Sequence, residues 1–190
     1  NGETRKYSLC NGPSAGEYQI AVKRDGAGRG GSVSMVDTLR QGDVLNSRAP
    51  KNAFTLRSSA AGALFIAGGI GITPLISMIR SIREAELIQT SPQVGSKTKW
   101  SLIYLARSEA DAAFASELRA HPNAAAITMH FDGGDLSAAY DLWPHLGSRT
   151  GRHRHEIVGN GTCDTRYKVP DHISVDRTSP CEDHPRHCYR

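Results

Sequence analysis

The chain has 190 residues, 38% of them apolar and 22% charged, with a formal net charge of +4. That length suits one domain or two small ones around a substantial core. The mild charge, without a concentrated basic patch, argues against a nucleic-acid partner, and the absence of a long apolar run argues against a membrane span.

No basic-plus-apolar leader opens the sequence, so no secretion signal is expected; the first residue is Asn rather than Met, which points to a fragment. Four cysteines stand at 10, 163, 181 and 188, too unevenly spread for a disulfide scaffold. A reducing, cytoplasmic setting is the expectation.

From Lys6 to Leu56 the chain reads as short strands and turns. In the stretch RKYSLCNGP, extended geometry turns Arg5 and Tyr7 to one face and Ser8 to the other. A cation, a ring and a hydroxyl within four residues fit an ordinary edge strand, or a strand that holds a planar, phosphorylated ligand. EYQIAVKR is β-like, with Tyr18, Ile20 and Val22 on one face. The glycine-rich DGAGRGGS follows, and Val33 to Leu39 predicts a short helix opened by Ser32. GDVLNSRAP reads as a turn into a strand and KNAFTL as another strand.

The texture changes near residue 60. Leu64 to Ala67 is a short apolar run ending in glycines, and Ile72, Leu75, Ile76, Ile79 and Ile82 then recur at helical spacing. Thr73 is the expected N-cap, with Pro74 at the first helical position. WSLIYLAR predicts a second buried strand, and SEADAAFASELRA a helix capped by Ser108, with Phe114 and Leu118 one turn apart. AAITMHF predicts a third strand, and SAAYDLWPHL a short helix stopped near Pro144. This alternation predicts a parallel α/β domain, which binds ligands beyond the carboxyl ends of its strands. EIVGN, with adjacent Ile157 and Val158, predicts one further strand. Beyond it, residues 161–190 hold only scattered apolar groups, too few to offset the entropy of ordering the chain, so a disordered tail is expected.

Gly68, Gly69 and Gly71, between a buried strand and a helix, let the backbone approach a ligand, and the free amides of the helix start favour a phosphate. A tight strand-to-helix turn in any α/β domain is the plainer reading. The spacing is not the usual dinucleotide fingerprint, and no acidic residue ends the next strand. Arg107 ends that strand, where it would meet a ribose, adenine or phosphate, or stand as a surface cation. Gly30, Gly31 and Ser32 form a second candidate phosphate cradle, with Lys23, Arg24 and Arg29 supplying charge; a plain hairpin loop is the alternative. Two such loops shift the balance toward two ligands meeting at an interface.

His153, His155, Cys163, His172, Cys181, His184, His187 and Cys188 are enough potential zinc ligands, but no CxxC or HxxxH pair holds them at a customary spacing, and no metal site is expected. His121, His130 and His145 lack a nearby nucleophile and acid. Cys10 reads as a small buried side chain.

Taken in order, RKYSLCN, YQIAVKRDGAGRGGS, GDVLNSRAPKNAF, LFIAGGIGITPLISMIR, YLARSEADAAFASEL and HFDGGDLSAAYDLW resemble the phthalate dioxygenase reductase and vanillate O-demethylase oxidoreductase family, within the ferredoxin–NADP reductase-like superfamily. The resemblance covers residues 3 to about 147. It implies a partial FMN-binding β-barrel over 1–58 and an NAD-binding α/β domain over 61–160, with 161–190 outside the family pattern. It further implies transfer of hydride from NADH to FMN, with electrons passing on to a Rieske-type terminal oxygenase or demethylase.

By the family's pattern Arg5 meets the FMN phosphate, Tyr7 lies against the isoalloxazine ring and Ser8 bonds near its reactive nitrogen. Leu9, Val22 and Lys23 border the flavin, and Gly30, Gly31 and Ser32 cradle its phosphate. Gly68, Gly69, Gly71, Ile72, Thr73 and Pro74 lie under the NADH pyrophosphate and nicotinamide, with Thr73 and Ser8 near the hydride path and Arg107 at the adenine ribose. NADH is expected over NADPH, since Ser108, Glu109 and Asp111 follow Arg107.

The chain also departs from that pattern. The family's first barrel strands, its Cys-Gly-Pro motif and the cysteines of its plant-type [2Fe-2S] domain are not found in this sequence. The abrupt change after residue 147 resembles a reading-frame shift or a chimeric fragment. The alternative function is an inactive nucleotide-binding or protein-binding fragment, and a third reading is a zinc-binding tail on a defunct reductase domain.

Overall fold

The computed structural model describes residues 4–12, 15–56, 62–88, 99–147 and 156–160. The 161–190 segment, the expected tail, lies outside the described residues, and so do all the candidate zinc ligands from His153 to Cys188.

The centre of the molecule is a four-stranded parallel sheet of β1 (Ala63–Gly68), β2 (Trp100–Ala106), β3 (Ile127–Phe131) and β4 (Glu156–Asn160), in the order β3-β2-β1-β4. β1 and β2 are near-continuous apolar runs because both faces of a parallel sheet are covered. On one face Ala63, Phe65, Ala67, Leu102 and Tyr104 pack against Ile72, Leu75, Ile76 and Ile79 of helix α2 (Ile72–Ile88). On the other, Leu64, Ile103 and Leu105 meet Leu142 and Tyr140. The helical spacing read from the sequence is thus the buried stripe of α2, and EIVGN does add a strand, paired in parallel with β1.

The connections fix where the strand order reverses. From β1 the chain steps outward to β2 and β3, then returns across the sheet to place β4 on the other side of β1. The order therefore reverses between β1 and β4, where Ala67 pairs with Asn160. Crevices open beyond the carboxyl ends of strands at such a reversal. The glycines that follow β1 stand there.

Several elements differ from expectation. The helix after β2 is confined to α3 (Ala115–Arg119), because Phe114 adopts a left-handed conformation at φ 63°. Ser108 instead closes a local turn: its hydroxyl donates to Asp111 Oδ2 at 2.7 Å and accepts from the Asp111 amide at 3.2 Å. Pro144 does not stop a helix but lies in the first turn of α4 (Trp143–Gly147), where proline is tolerated; a 3₁₀ turn at Leu136–Ala138 precedes it.

Ahead of β1, helix α1 (Gly31–Thr38) forms as expected, but the strands expected at 17–24, 43–50 and 51–56 reduce to one antiparallel bridge, Leu9 to Ile20. A strand is stable only with neighbours that take its amides and carbonyls, and among the described residues these segments have no further partner strand. The bridge is reinforced by the Cys10 amide donating to the Gln19 carbonyl at 2.8 Å. Asn11 adds its side chain, which donates to the Glu17 carbonyl at 2.5 Å and accepts from the Gln19 amide at 3.1 Å. A closed barrel is not seen among the described residues.

Candidate ligand sites at two glycine turns

The first turn follows β1. Gly69–Gly71 is a single 3₁₀ turn leading into α2, with Gly69 at φ 52°, a backbone conformation glycine adopts without steric cost. No side chain caps this turn. Thr73, expected as the N-cap, lies inside the helix: it is buried, and its hydroxyl donates backward to the Ile70 carbonyl at 3.1 Å. The helix begins at Ile72, two residues earlier than a Thr73 cap implies, because the 3₁₀ turn carries the chain straight into it. Ile72 and Pro74 are buried on the same first turn, Gly68 and Gly71 are buried beneath it, and Gly69 is half-buried. The result is a helix start with uncapped amides at the point of strand-order reversal, where an anionic group is favoured.

The second turn opens α1. Gly30 is its N-cap residue at φ 80°, and no side chain caps the helix. Its carbonyl accepts the first helical bond, from the Ser34 amide at 2.9 Å. Ser32 does not open the helix but sits within it, its hydroxyl accepting from the Asp25 amide at 3.0 Å. That bond pins the glycine-rich loop rather than capping α1.

Arg5 reaches this turn from the first segment. A side chain on Gly31 would begin 2.5 Å from Arg5 Nε and 3.2 Å from Cζ, so the guanidinium occupies space that only glycine leaves open. A cradle of helix amides beside a guanidinium is a fitting receptor for a phosphate.

The alternation read in RKYSLCN holds. Arg5, Tyr7 and Leu9 are half-buried, whereas Lys6 and Ser8 are exposed. Val22 is half-buried and Lys23 exposed. Arg24, expected to lend charge to the loop, is tied to Asp37 by bonds of 2.9 to 3.2 Å. That pairing raises the arginine pKa and lowers that of the carboxylate.

Arg107 follows the end of β2 and is exposed; its carbonyl accepts from the Gly133 amide at 2.8 Å, joining it to the Asp132–Asp135 turn after β3. Glu109 pairs with Arg119, which lowers its pKa. Cys10 is fully buried in the main core, and burial pushes its thiol upward, so it behaves as the small core residue expected.

Among the described residues no three His, Cys, Asp or Glu side chains converge as a metal would require. Among them, too, no helix is long and apolar enough to cross a membrane.

Sequence reasoning missed Arg80. Its Nε and Nη2 donate to the two carboxylate oxygens of Glu117 at 2.9 and 2.6 Å, and its Nη1 to the Cys10 carbonyl and Gln19 Oε1, both at 2.7 Å. The guanidinium carbon lies 5.3 Å from the centre of the Phe114 ring. Its only sequence signal is a position seven residues after Thr73, on one face of α2.

Residues 65–131 match the oxidoreductase NAD-binding domain family. The chain is 42% identical over 145 residues to the phthalate 4,5-dioxygenase oxygenase reductase subunit of Pseudomonas putida, an alignment spanning 76% of this chain and 42% of that protein. It is 40% identical over 144 residues to phthalate dioxygenase reductase of Burkholderia cepacia, spanning 75% of this chain and 42% of the relative. A solved structure described as phthalate dioxygenase reductase, modular for electron transfer from pyridine nucleotides to [2Fe-2S], superposes with a TM-score of 0.68 at 35% identity. That superposition covers 83% of this chain and 46% of the other. The chain thus spans less than half the length of these relatives.

Proposed function

The chain belongs to the phthalate dioxygenase reductase group of the ferredoxin–NADP reductase-like superfamily, and from that premise we propose that it serves as the reductase component of a Rieske-type aromatic-ring oxygenase or demethylase system. In this reading it takes hydride from NADH onto FMN and passes electrons onward through a [2Fe-2S] centre to a terminal oxygenase. Cys10 is the sole cysteine among the described residues, so that centre is no part of them.

The observation that carries the reading is the pair of uncapped, glycine-lined helix starts, one at the strand-order reversal and one against Arg5. Bound FMN would supply a ring that accepts two electrons and releases them singly. Arg5 and the α1 amides would hold its phosphate, with Gly31 leaving room for the guanidinium. Tyr7 and Leu9, half-buried in alternation with exposed Lys6 and Ser8, would bear on the ring, with Val22 and Lys23 at its border and Ser8 near its reactive nitrogen. Ser32 would fix the loop through Asp25. Gly68, Gly69, Gly71, Ile72 and Pro74 would carry the NADH pyrophosphate and nicotinamide. Thr73, its hydroxyl committed to Ile70, would shape the hydride path rather than move a proton.

The test is equilibrium dialysis with FMN and with NADH, followed by anaerobic addition of NADH to the FMN-loaded chain. Retention of FMN and bleaching of the visible flavin absorbance are expected. NADH binding without FMN retention would support the inactive nucleotide-binding fragment instead.

A further inference from the structure

One stripe of α2 runs through Thr73, Ser77, Arg80 and Glu84, at the spacing that keeps side chains on one helix face. The last three all meet the same short piece of chain. Ser77 Oγ donates to the Asn11 carbonyl at 2.8 Å, and Arg80 Nη1 to the Cys10 carbonyl at 2.7 Å. The Glu84 carboxylate lies over Gly12, where a side chain would begin 2.6 Å from Oε1. Cys10 to Gly12 directly continue the segment bearing Arg5, Tyr7 and Ser8. Thr73 stands at the top of the same helix, about 10 Å from Arg80 along the axis at 1.5 Å per residue.

Arg80 is the strongest member of the stripe. Its fork holds Glu117 of α3 with two charge-assisted bonds while its remaining donor nitrogen holds Cys10 and Gln19, the two sides of the Leu9–Ile20 bridge. It is only 24% exposed in its side chain and lies against the Phe114 ring. A guanidinium with planar, directional donors fixes the distance between three segments in a way a surface ion pair does not.

We propose that Arg80 is a positioning residue, clamping the end of the extended Arg5–Leu9 segment to the flank of α2 and so setting its spacing from the Gly68–Thr73 turn. The consequence for hydride transfer rests on the reading of those two segments as flavin and nicotinamide contacts; the clamp itself does not. Neither Arg80 nor Glu117 touches the glycine turns through the contacts described above, so the expected signature is altered turnover with nucleotide binding retained. Misplacement of reacting groups by about 1 Å can cost about a hundredfold in rate.

The experiment compares the full chain with Arg80→Met, Arg80→Lys and Ser77→Ala. Hydrogen exchange at the Cys10 amide, bonded to Gln19, should quicken about tenfold in Arg80→Met, with the β1 amides of Leu64 to Ala67 unchanged as proof of folding. Arg80→Lys should recover part of that protection, and Ser77→Ala should show a smaller change in the same direction. In FMN-loaded protein, kcat for NADH-dependent flavin reduction should fall about tenfold in Arg80→Met while KM for NADH stays within about twofold. Unchanged Cys10 exchange in both Arg80→Met and Ser77→Ala overturns the clamp. Faster exchange with unchanged kcat overturns its part in hydride transfer. A parent chain that does not reduce flavin at all refutes the proposed function, while the exchange result still decides the clamp.

Discussion

The guanidinium of Arg5 lies against the bare α-carbon of Gly31, so that a methyl group there would fall 2.5 Å from Nε. The residues are twenty-six positions apart, yet each explains the other: the helix start needs a residue without a side chain because the arginine occupies its space. Gly31→Ala therefore separates binding from folding. Alanine is a better helix former than glycine, and the atoms it displaces are the far end of a flexible side chain, so stability should stay within about 0.5 kcal/mol. The guanidinium must move, and FMN affinity should fall about tenfold, or 1.4 kcal/mol. Fluorescence titration with FMN and a urea midpoint on the same protein measure the two effects. Undiminished FMN affinity would show that Arg5 is not needed where it lies.

His121 gives the fold a pH dependence. Its ring packs edge-on to Trp100 at 5.3 Å, its Nδ1 accepts from the Asn123 amide at 3.1 Å, and its Nε2 is shut off from solvent without a partner. Burial, and then the charge of Arg83, lower its pKa below the ordinary 6.5. The unfolded chain therefore binds the proton more readily. The contribution of neutral His121 is whole above about pH 6.5 and is lost as pH falls toward the depressed folded value. Melting curves from pH 7.5 down to about 5 should show a declining midpoint, and His121→Asn should flatten that slope. An equally steep decline in the variant would assign the effect to other groups.

Tyr104 is fully buried, and its hydroxyl has no well-formed hydrogen bond, only the looser approach of the Ala113 backbone. Burial pushes its pKa upward. A buried hydroxyl without a partner costs about 1–3 kcal/mol, whereas the same ring without it packs equally well. Tyr104→Phe should raise stability by about 1 kcal/mol, read as a higher urea midpoint at unchanged slope. A loss of that size would reveal a bound water or another partner for the hydroxyl.

What was legible in the sequence depended on how local its cause was. Leu64 to Ala67 and the Ile72 to Ile82 stripe read correctly because burial on a sheet face or helix stripe imposes its own period. The Arg5, Tyr7 and Ser8 alternation read correctly because extended backbone alternates its side chains even without a partner strand. Phe114 did not: nothing in SEADAAFASELRA marks a left-handed residue, and its ring is engaged by Arg80, thirty-four positions earlier. The segments at 17–24, 42–50 and 51–56 carry strand-like composition, but pairing depends on neighbours that composition does not specify. Thr73 and Ser32 had the chemistry of caps, yet each lies inside its helix and bonds to backbone elsewhere. Arg80 was invisible because its role exists only where three distant segments meet.

On the reading of Arg107 as the adenine-ribose contact, the charges around the end of β2 predict a cofactor preference. Two cations stand there, Arg107 and the Arg119 that pairs with Glu109, against four carboxylates: Glu109 and Asp111 after Arg107, and Asp132 and Asp135 on the adjoining turn. Arg119 holds Glu109 ionised, and the Ser137 amide and hydroxyl do the same for Asp135. The 2′-phosphate of NADPH adds about two negative charges at neutral pH. Accepting it calls for clustered cations near the adenine ribose, whereas carboxylates outnumber cations around the end of β2. NADH should therefore bind more tightly than NADPH, by about tenfold or 1.4 kcal/mol. Asp111→Asn removes one repelling charge while keeping an oxygen for Ser108, and should narrow the difference without altering NADH affinity. Raising salt should narrow it too, since exposed charges are screened over about 8–10 Å at physiological ionic strength. Competition titrations of both nucleotides, in low and high salt, measure all three effects. An equal or lower dissociation constant for NADPH in the parent chain would mean that Arg107 outweighs its acidic neighbours.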